Sequence, residues 1–252
     1  MIDKFPEKNF QEEKLVHHAG RSGNFKIAEG EKIAEGAGGE VKSIEMNHDN
    51  KNRKFVIKEF FNTEGNGAQK SFEKYLRLKE VGLKNILSTY RKVERKNSVV
   101  MTDLGINNNV AISINPTMER VPKHEININY ITPGAIKHIL SLMESDLVEA
   151  SRNGIYLNND SYLLVLPRNL KGGVDFDVAN LFQLKIVDLE NIDINCKFDS
   201  NTLLEKNIQG FVEAIDDILY TLIPGPFNKE ITTPIHQWEE DFKAKVGLQN
   251  KL

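Results

Sequence analysis

The chain of 252 residues has a single cysteine, Cys196, which leaves no partner for an intrachain disulfide and excludes a zinc site built on several thiolates. Its apolar runs are all too short to cross a bilayer, so no membrane span is expected. The opening stretch MIDKFPEKNFQEEK lacks the apolar core of a secretory signal peptide, which predicts a cytoplasmic protein or one exported by a route that needs no such signal. Charge of one sign is lacking too. The 33 Lys and Arg face 36 Asp and Glu, and a net charge of -3 is not the footprint of a dedicated nucleic-acid binder. Its six histidines show no helical i, i+4 pairing suited to zinc. The one tryptophan, Trp238, reads as a helix-packing anchor within Gln237–Phe242. What is there is 40% hydrophobic residues in 28.6 kDa, enough for one large domain or two lobes with a core each.

Residues 1–25 are polar and charged and read as a loosely held extension. The near-repeat Lys26-Ile-Ala-Glu-Gly30 and Lys32-Ile-Ala-Glu-Gly36 has too few copies for a solenoid and runs into a glycine cluster. Strands are expected over 41–46 and 54–61, an amphipathic helix over 68–81, and strands over 86–94 and 98–104. That order makes a small antiparallel sheet carrying one helix. Residues 105–131 are Asn-rich and irregular. A helix then runs from an N-cap at Thr132, through Pro133, to Leu147, and Asn153-Gly154 closes it. Short buried strands over 162–166 and 184–187 flank a glycine-containing insertion. Apolar helices follow over 208–223, ended by Pro224-Gly225-Pro226, and over 234–246. The fold class is therefore α+β, with a small sheet lobe over 26–104 and a mainly helical lobe over 105–252.

Four places carry candidate chemistry. Gly36-Ala-Gly-Gly39-Glu-Val41 can be an ordinary tight turn. The same spacing lets backbone N–H groups close over a nucleotide's phosphates while Val41 covers the base. Lys58 follows at the end of Phe55-Val-Ile-Lys58, as a solvent-facing lysine or as one gripping the α- and β-phosphates. Its helix partner would be Glu73, preferred over Glu80 for its spacing from Asn85-Ile86-Leu87. Asp188, directly after a buried strand, is either a turn aspartate or a ligand for Mg²⁺ between phosphates.

Taken in order, these segments resemble the protein-kinase superfamily. Ile33–Val41 is similar to its glycine-rich loop with Ala34 in place of the first glycine, and Ser98–Leu104 to its fifth strand and hinge. Leu184-Lys-Ile-Val-Asp188-Leu-Glu190 is similar to its strand and D-F-G segment. The resemblance implies a two-lobe fold with a truncated C-lobe, binding ATP through Gly36, Gly39, Val41 and Lys58. Met101 would be the gatekeeper, and Thr102, Asp103 and Leu104 would offer backbone groups to adenine. Asp188 would hold Mg²⁺, and Asp160 would orient the acceptor hydroxyl. The pattern departs at Ile155-Tyr-Leu-Asn-Asn-Asp160, where Val165 stands at the offset of the metal-binding asparagine. The second metal ligand is therefore unassigned, with Asn158 or Asn159 as no more than stand-ins. If the strand Tyr162–Val165 is matched instead, the aspartate's place falls on Leu157. Only about twenty residues separate Asp188 from Ile208 and no A-P-E motif appears, which leaves little room for a phosphorylation-controlled activation loop.

The function implied is transfer of the γ-phosphoryl group of ATP to Ser or Thr hydroxyls of a protein by a monomer. The short C-lobe resembles minimal bacterial effector kinases of virulence that act on a host protein. Two alternatives stay open. One is a pseudokinase that binds nucleotide or protein; the other is a kinase-fold transferase with a non-protein acceptor or AMP transfer. In any of these cases the 166–183 insertion, with Asp175 and Asp177, would line the acceptor side.

Overall fold

The computed structural model describes residues 9–17, 22–48, 51–61, 66–94, 96–104, 109–113, 133–167, 182–222 and 228–248. The N-cap expected at Thr132, the core of the 166–183 insertion and Pro224-Gly225-Pro226 lie outside them. The chain is α+β and divides into two compact units, Met1–Phe72 with Ser88–Asp103, and Glu73–Leu87 with Leu104–Leu252.

The first unit is a closed antiparallel barrel of six strands: β1 (Gln11–Val16), β2 (Ser22–Gly36), β3 (Gly39–His48), β4 (Lys51–Phe60), β5 (Tyr90–Val93) and β6 (Ser98–Thr102). Their order around the barrel is β1-β2-β3-β4-β6-β5, and β1 closes it by pairing Leu15 with Val93. The segment read as a loose extension thus supplies β1 and the start of β2. Leu15 is fully buried, worth roughly 2 kcal/mol against leaving it in water, and this fastens β1 to the core. Alternation along each strand sends Leu15, Phe25, Ile27, Ile44, Met46, Ile57, Val93 and Val100 inward as one cluster.

The two KIAEG copies are consecutive stretches of the single strand β2. Register shifts against β3 between Glu29 and Lys32, and again before Ala34, separate them, so Ile27 is buried whereas Ile33 is only half-buried. The expected strand over 86–94 shortens to β5. Its first residues belong to the second unit, where Ile86 forms a parallel bridge with Ile186.

Helix α1 (Gly67–Glu80) starts in the first unit. Its cap comes from a distant residue: Ala68 N donates to Asn97 Oδ1 at 3.0 Å, while Asn97 Nδ2 donates to Phe60 O at 3.1 Å. A Cβ at Gly67 would stand 2.9 Å from the Phe60 ring, so glycine fits the helix start because of that ring.

The second unit holds a three-stranded sheet, β7 (Asn109–Ser113), β8 (Tyr162–Pro167) and β9 (Gln183–Ile186), in the order β7-β8-β9. With it pack α2 (Pro133–Ser141), α3 (Glu144–Arg152), α4 (Ser200–Leu222) and α5 (Asn228–Lys245). The single helix expected through Leu147 is broken at Leu142-Met143, where the backbone tightens to i→i−3 bonds at 3.3 and 3.2 Å. Two side-chain contacts fix that break. Asn85 Nδ2 donates to Leu142 O at 2.7 Å, and the buried Asp146 carboxylate accepts from Lys84 N at 2.9 Å and Asn85 N at 2.7 Å.

Gly154, at φ +69°, ends α3 as Asn153-Gly154 predicts. Pro234 lies inside α5 rather than at its first turn, so α5 begins earlier than its proline suggests. A chain of rings joins β8, α4 and α5: Tyr162 to Phe211 at 5.1 Å, Phe211 to Trp238 at 5.6 Å, and Trp238 stacked on Phe242 at 5.1 Å. Trp238 Nε1 donates to Glu144 Oε1 at 3.1 Å, so the tryptophan is a packing anchor with a satisfied polar edge. No helix among the described residues is long and apolar enough to cross a membrane.

Candidate functional site

The sequence candidates fall in both units, and each set is described within its own. In the first unit, Ala37-Gly38 is the turn of the β2–β3 hairpin. Phe61 N donates to Gly38 O at 3.1 Å and ties the turn to the end of β4. Gly36 has open space around it, whereas a Cβ on Gly39 would stand 2.2 Å from Glu59 O. Gly39 is therefore required by close approach of the β4 backbone, independently of any ligand.

Val41 and Lys58 are directly opposite across β3 and β4, with Val99 opposite Lys58 on β6. Directly opposite residues share a face, and this face is the outer wall of the barrel, since Ile57 and Val100 point inward. Lys58 is half-buried, with its Nζ 5.2 Å from the centre of the Phe60 ring. Met101 stands opposite Val56 and Tyr90. Thr102 is more committed than a hinge residue needs to be. Its N–H donates to Thr89 O at 3.1 Å, and its Oγ1 accepts from Thr89 N at 2.9 Å, so the N–H of Thr102 is already spoken for. Asp103 is buried and Leu104 half-buried, the latter opening the second unit.

Charge concentrates near the glycine turn but on the inward-facing positions. Lys42 Nζ lies 2.7 Å from Glu40 and 2.9 Å from Glu59, and these carboxylates, Glu40 foremost, hold its ammonium pKa well above the ordinary lysine value. Glu40 is displaced the other way, downward, chiefly by its hydrogen bond from Lys42.

In the second unit Glu73 is exposed on α1, and Glu80 is ion-paired with Arg77 at 2.9 Å. Asp160 sits in a short 3-10 turn, Asn159–Ser161, that leads into β8, and Asp188 precedes another, Leu189–Asn191, that follows β9. Val187 N donates to Ser161 O at 2.9 Å and holds the two turns side by side. Asn191 Nδ2 then donates to Asp160 Oδ2 at 2.7 Å and to Asp188 Oδ2 at 3.4 Å. Two carboxylates 28 residues apart in sequence converge on one amide.

The supports beneath these turns range from buried to half-buried. Asn207, with no exposed surface, accepts from Leu157 N at 2.8 Å and donates to Ser151 Oγ and Ile155 O, both at 2.9 Å. Lys74 Nζ donates to Glu190 O at 2.6 Å and steadies the turn after Asp188. Lys185 on β9 is half-buried; burial lowers its pKa while the Asp146 charge opposes that shift.

The stand-ins for a second metal ligand do not meet equally well. Asn158 Oδ1 accepts from Asn159 N at 2.8 Å and caps its turn, so that oxygen is engaged. Asn191, which sequence reasoning missed, is the amide beside both aspartates. Its only signal was an asparagine three residues after Asp188. Two carboxylates and an amide offer oxygen donors of the kind Mg²⁺ prefers. No set of three or more His, Cys, Asp or Glu placed to hold a metal occurs among the described residues.

Comparison with protein-family models gives no match to this chain, and comparison with curated proteins gives none either.

Proposed function

We propose that the chain is a kinase-like phosphotransferase that uses ATP and Mg²⁺ to phosphorylate Ser or Thr hydroxyls of a protein. The observation that carries the reading is the convergence of Asp160 and Asp188 on Asn191. Two carboxylates that meet at one amide gather negative charge and oxygen donors in one place, which suits a divalent cation. Further support is the pairing of Val41 with Lys58 behind the glycine turn, the order the kinase resemblance needs.

In this reading Lys58 draws the α- and β-phosphates, and Glu73 keeps the helix-carboxylate role that the kinase resemblance gives it. Asp188 and Asn191 would supply oxygen ligands for Mg²⁺, and the ion would contribute neutralisation of phosphate charge. Asp160 accepts the proton of the acceptor hydroxyl as its oxygen bonds to the γ-phosphorus. The bond from that phosphorus to the β–γ bridging oxygen breaks, and ADP leaves with the electron pair. Positioning and electrostatics, more than covalent chemistry, supply the rate.

The test is incubation with γ-labelled ATP and Mg²⁺ in the presence of a generic protein acceptor. Wild type should transfer label, and Lys58→Ala, Asp160→Asn and Asp188→Ala should each lose at least about a hundredfold, the size of one general-base or charge-stabilising contribution. Transfer that survives all three substitutions would refute the assignment.

One observation favours a second reading, a kinase-shaped binding module that transfers nothing. Gly39 has a packing reason to be glycine, so the glycine cluster is explained without phosphates. ATP that raises the melting temperature without labelling any acceptor would select this reading.

A further inference from the structure

The barrel holds a feature that the kinase reading does not use. At one end its interior opens into a cavity of about 300 Å³, on the inward side of the strands and not on the outer wall that carries Lys58. Its floor is Ile27, Ile57 and Val93, three members of the barrel core that are each at most 4% exposed. Its rim carries Glu13, Glu29 and Lys96. At about 30 Å³ per water-sized group, the space takes about ten non-hydrogen atoms.

The charges at the rim do not balance. Lys96 Nζ is hydrogen-bonded to Glu13 Oε1, so these two neutralise each other. Glu29 has Lys42 Nζ only at 3.9 Å, and that ammonium is already bound more closely by Glu40 and Glu59. A half-exposed carboxylate above an apolar floor favours a ligand with one positive charge and a short hydrocarbon body. We infer that the mouth of the barrel is a binding site for a small alkylammonium ion, the ammonium at Glu29 and the alkyl chain on Ile27, Ile57 and Val93.

The geometry explains why neither an anion nor a plain alcohol serves as well. An anion would meet Glu29 with the nearby ammonium groups already committed. An alcohol would fill the floor but leave the Glu29 charge unanswered.

The test uses the full chain and n-hexylammonium, with n-hexanoate and n-hexanol as matched controls, followed by the methyl resonances of Ile27, Ile57 and Val93. Hexylammonium should shift all three saturably with a Kd near about 1 mM, and hexanoate should not. Glu29→Gln lies at an exposed rim position and should leave the melting temperature unchanged while weakening hexylammonium about fivefold. Gln11→Trp, also on the rim, should close the mouth and abolish binding. Absence of saturation by about 20 mM, hexanoate or hexanol binding as well as hexylammonium, or a Glu29→Gln chain that binds as tightly as wild type would each overturn the assignment.

Discussion

Asn207→Ala is the perturbation that most directly tests how the loop bearing Asp160 is held. Asn207 is fully buried in α4 and links three groups: Leu157 N, Ile155 O and Ser151 Oγ. Ser151 Oγ keeps its own bond to Leu147 O at 2.7 Å after the substitution, so it is the least affected. Leu157 N, in contrast, loses its acceptor in a place water does not reach. An orphaned buried donor costs about 1–3 kcal/mol, and the lost bond to Ile155 O adds about 1 kcal/mol. The expected total is about 3 kcal/mol. The assay is urea unfolding followed by fluorescence of Trp238, the one tryptophan, which packs against Phe211 and Phe242 and so reports the second unit alone. The midpoint should fall with the slope unchanged. A loss below about 0.5 kcal/mol would refute the reasoning, because it would mean that Leu157 N finds another partner and the loop does not depend on α4.

Two further outcomes follow from geometry already described. Gly39→Ala should destabilise the barrel by about 2 kcal/mol and speed amide exchange of β3 and β4 about thirtyfold, whereas Gly36→Ala, with open space around it, should leave exchange unchanged. Equal effects at the two positions would show that the Glu59 carbonyl moves aside freely. Asp199 caps α4 through Asn201 N, Thr202 N and Thr202 Oγ1, and these bonds, the Thr202 hydroxyl foremost, hold its pKa below the usual 3.8. Its stabilisation is therefore present above pH about 4 and lost as pH falls through the lowered folded value. Melting temperatures of wild type and Asp199→Ala should differ at pH 7 and converge as pH falls through the lowered folded value; a gap independent of pH would assign the effect to something other than the carboxylate.

Local pattern reached far in some segments and stopped short in others. Alternating apolar residues place β3, β4, β6 and β8 near where the sequence expects them, because period-two burial is written directly in residue order. The helix stop at Asn153-Gly154 is equally local, since only glycine takes φ +69° without strain. β1 could not be read this way. Gln11–Val16 carries little apolar content, and it is a strand because Leu15 finds the barrel core and Val93 across the closing seam. The break between α2 and α3 also has no sequence signal; it depends on Asn85 and Asp146, which meet Leu142 and the 84–85 backbone only in the folded chain.

The candidate site divides along the same line. Sequence alone determined which residue types are available: one lysine closing an apolar strand, aspartates before and after buried strands, and a glycine turn ahead of a valine. Residue order also set the alternation that puts Val41 and Lys58 on one face once β3 and β4 pair. Only the tertiary structure decided that Asn191 joins Asp160 to Asp188, that Gly39 answers to the Glu59 carbonyl, and that the barrel closes around a cavity with an unbalanced carboxylate. The reason is one of range. Strand and helix periods are properties of neighbouring residues, whereas a hydrogen bond across 31 residues or a close approach across 20 exists only after the chain has brought those atoms together.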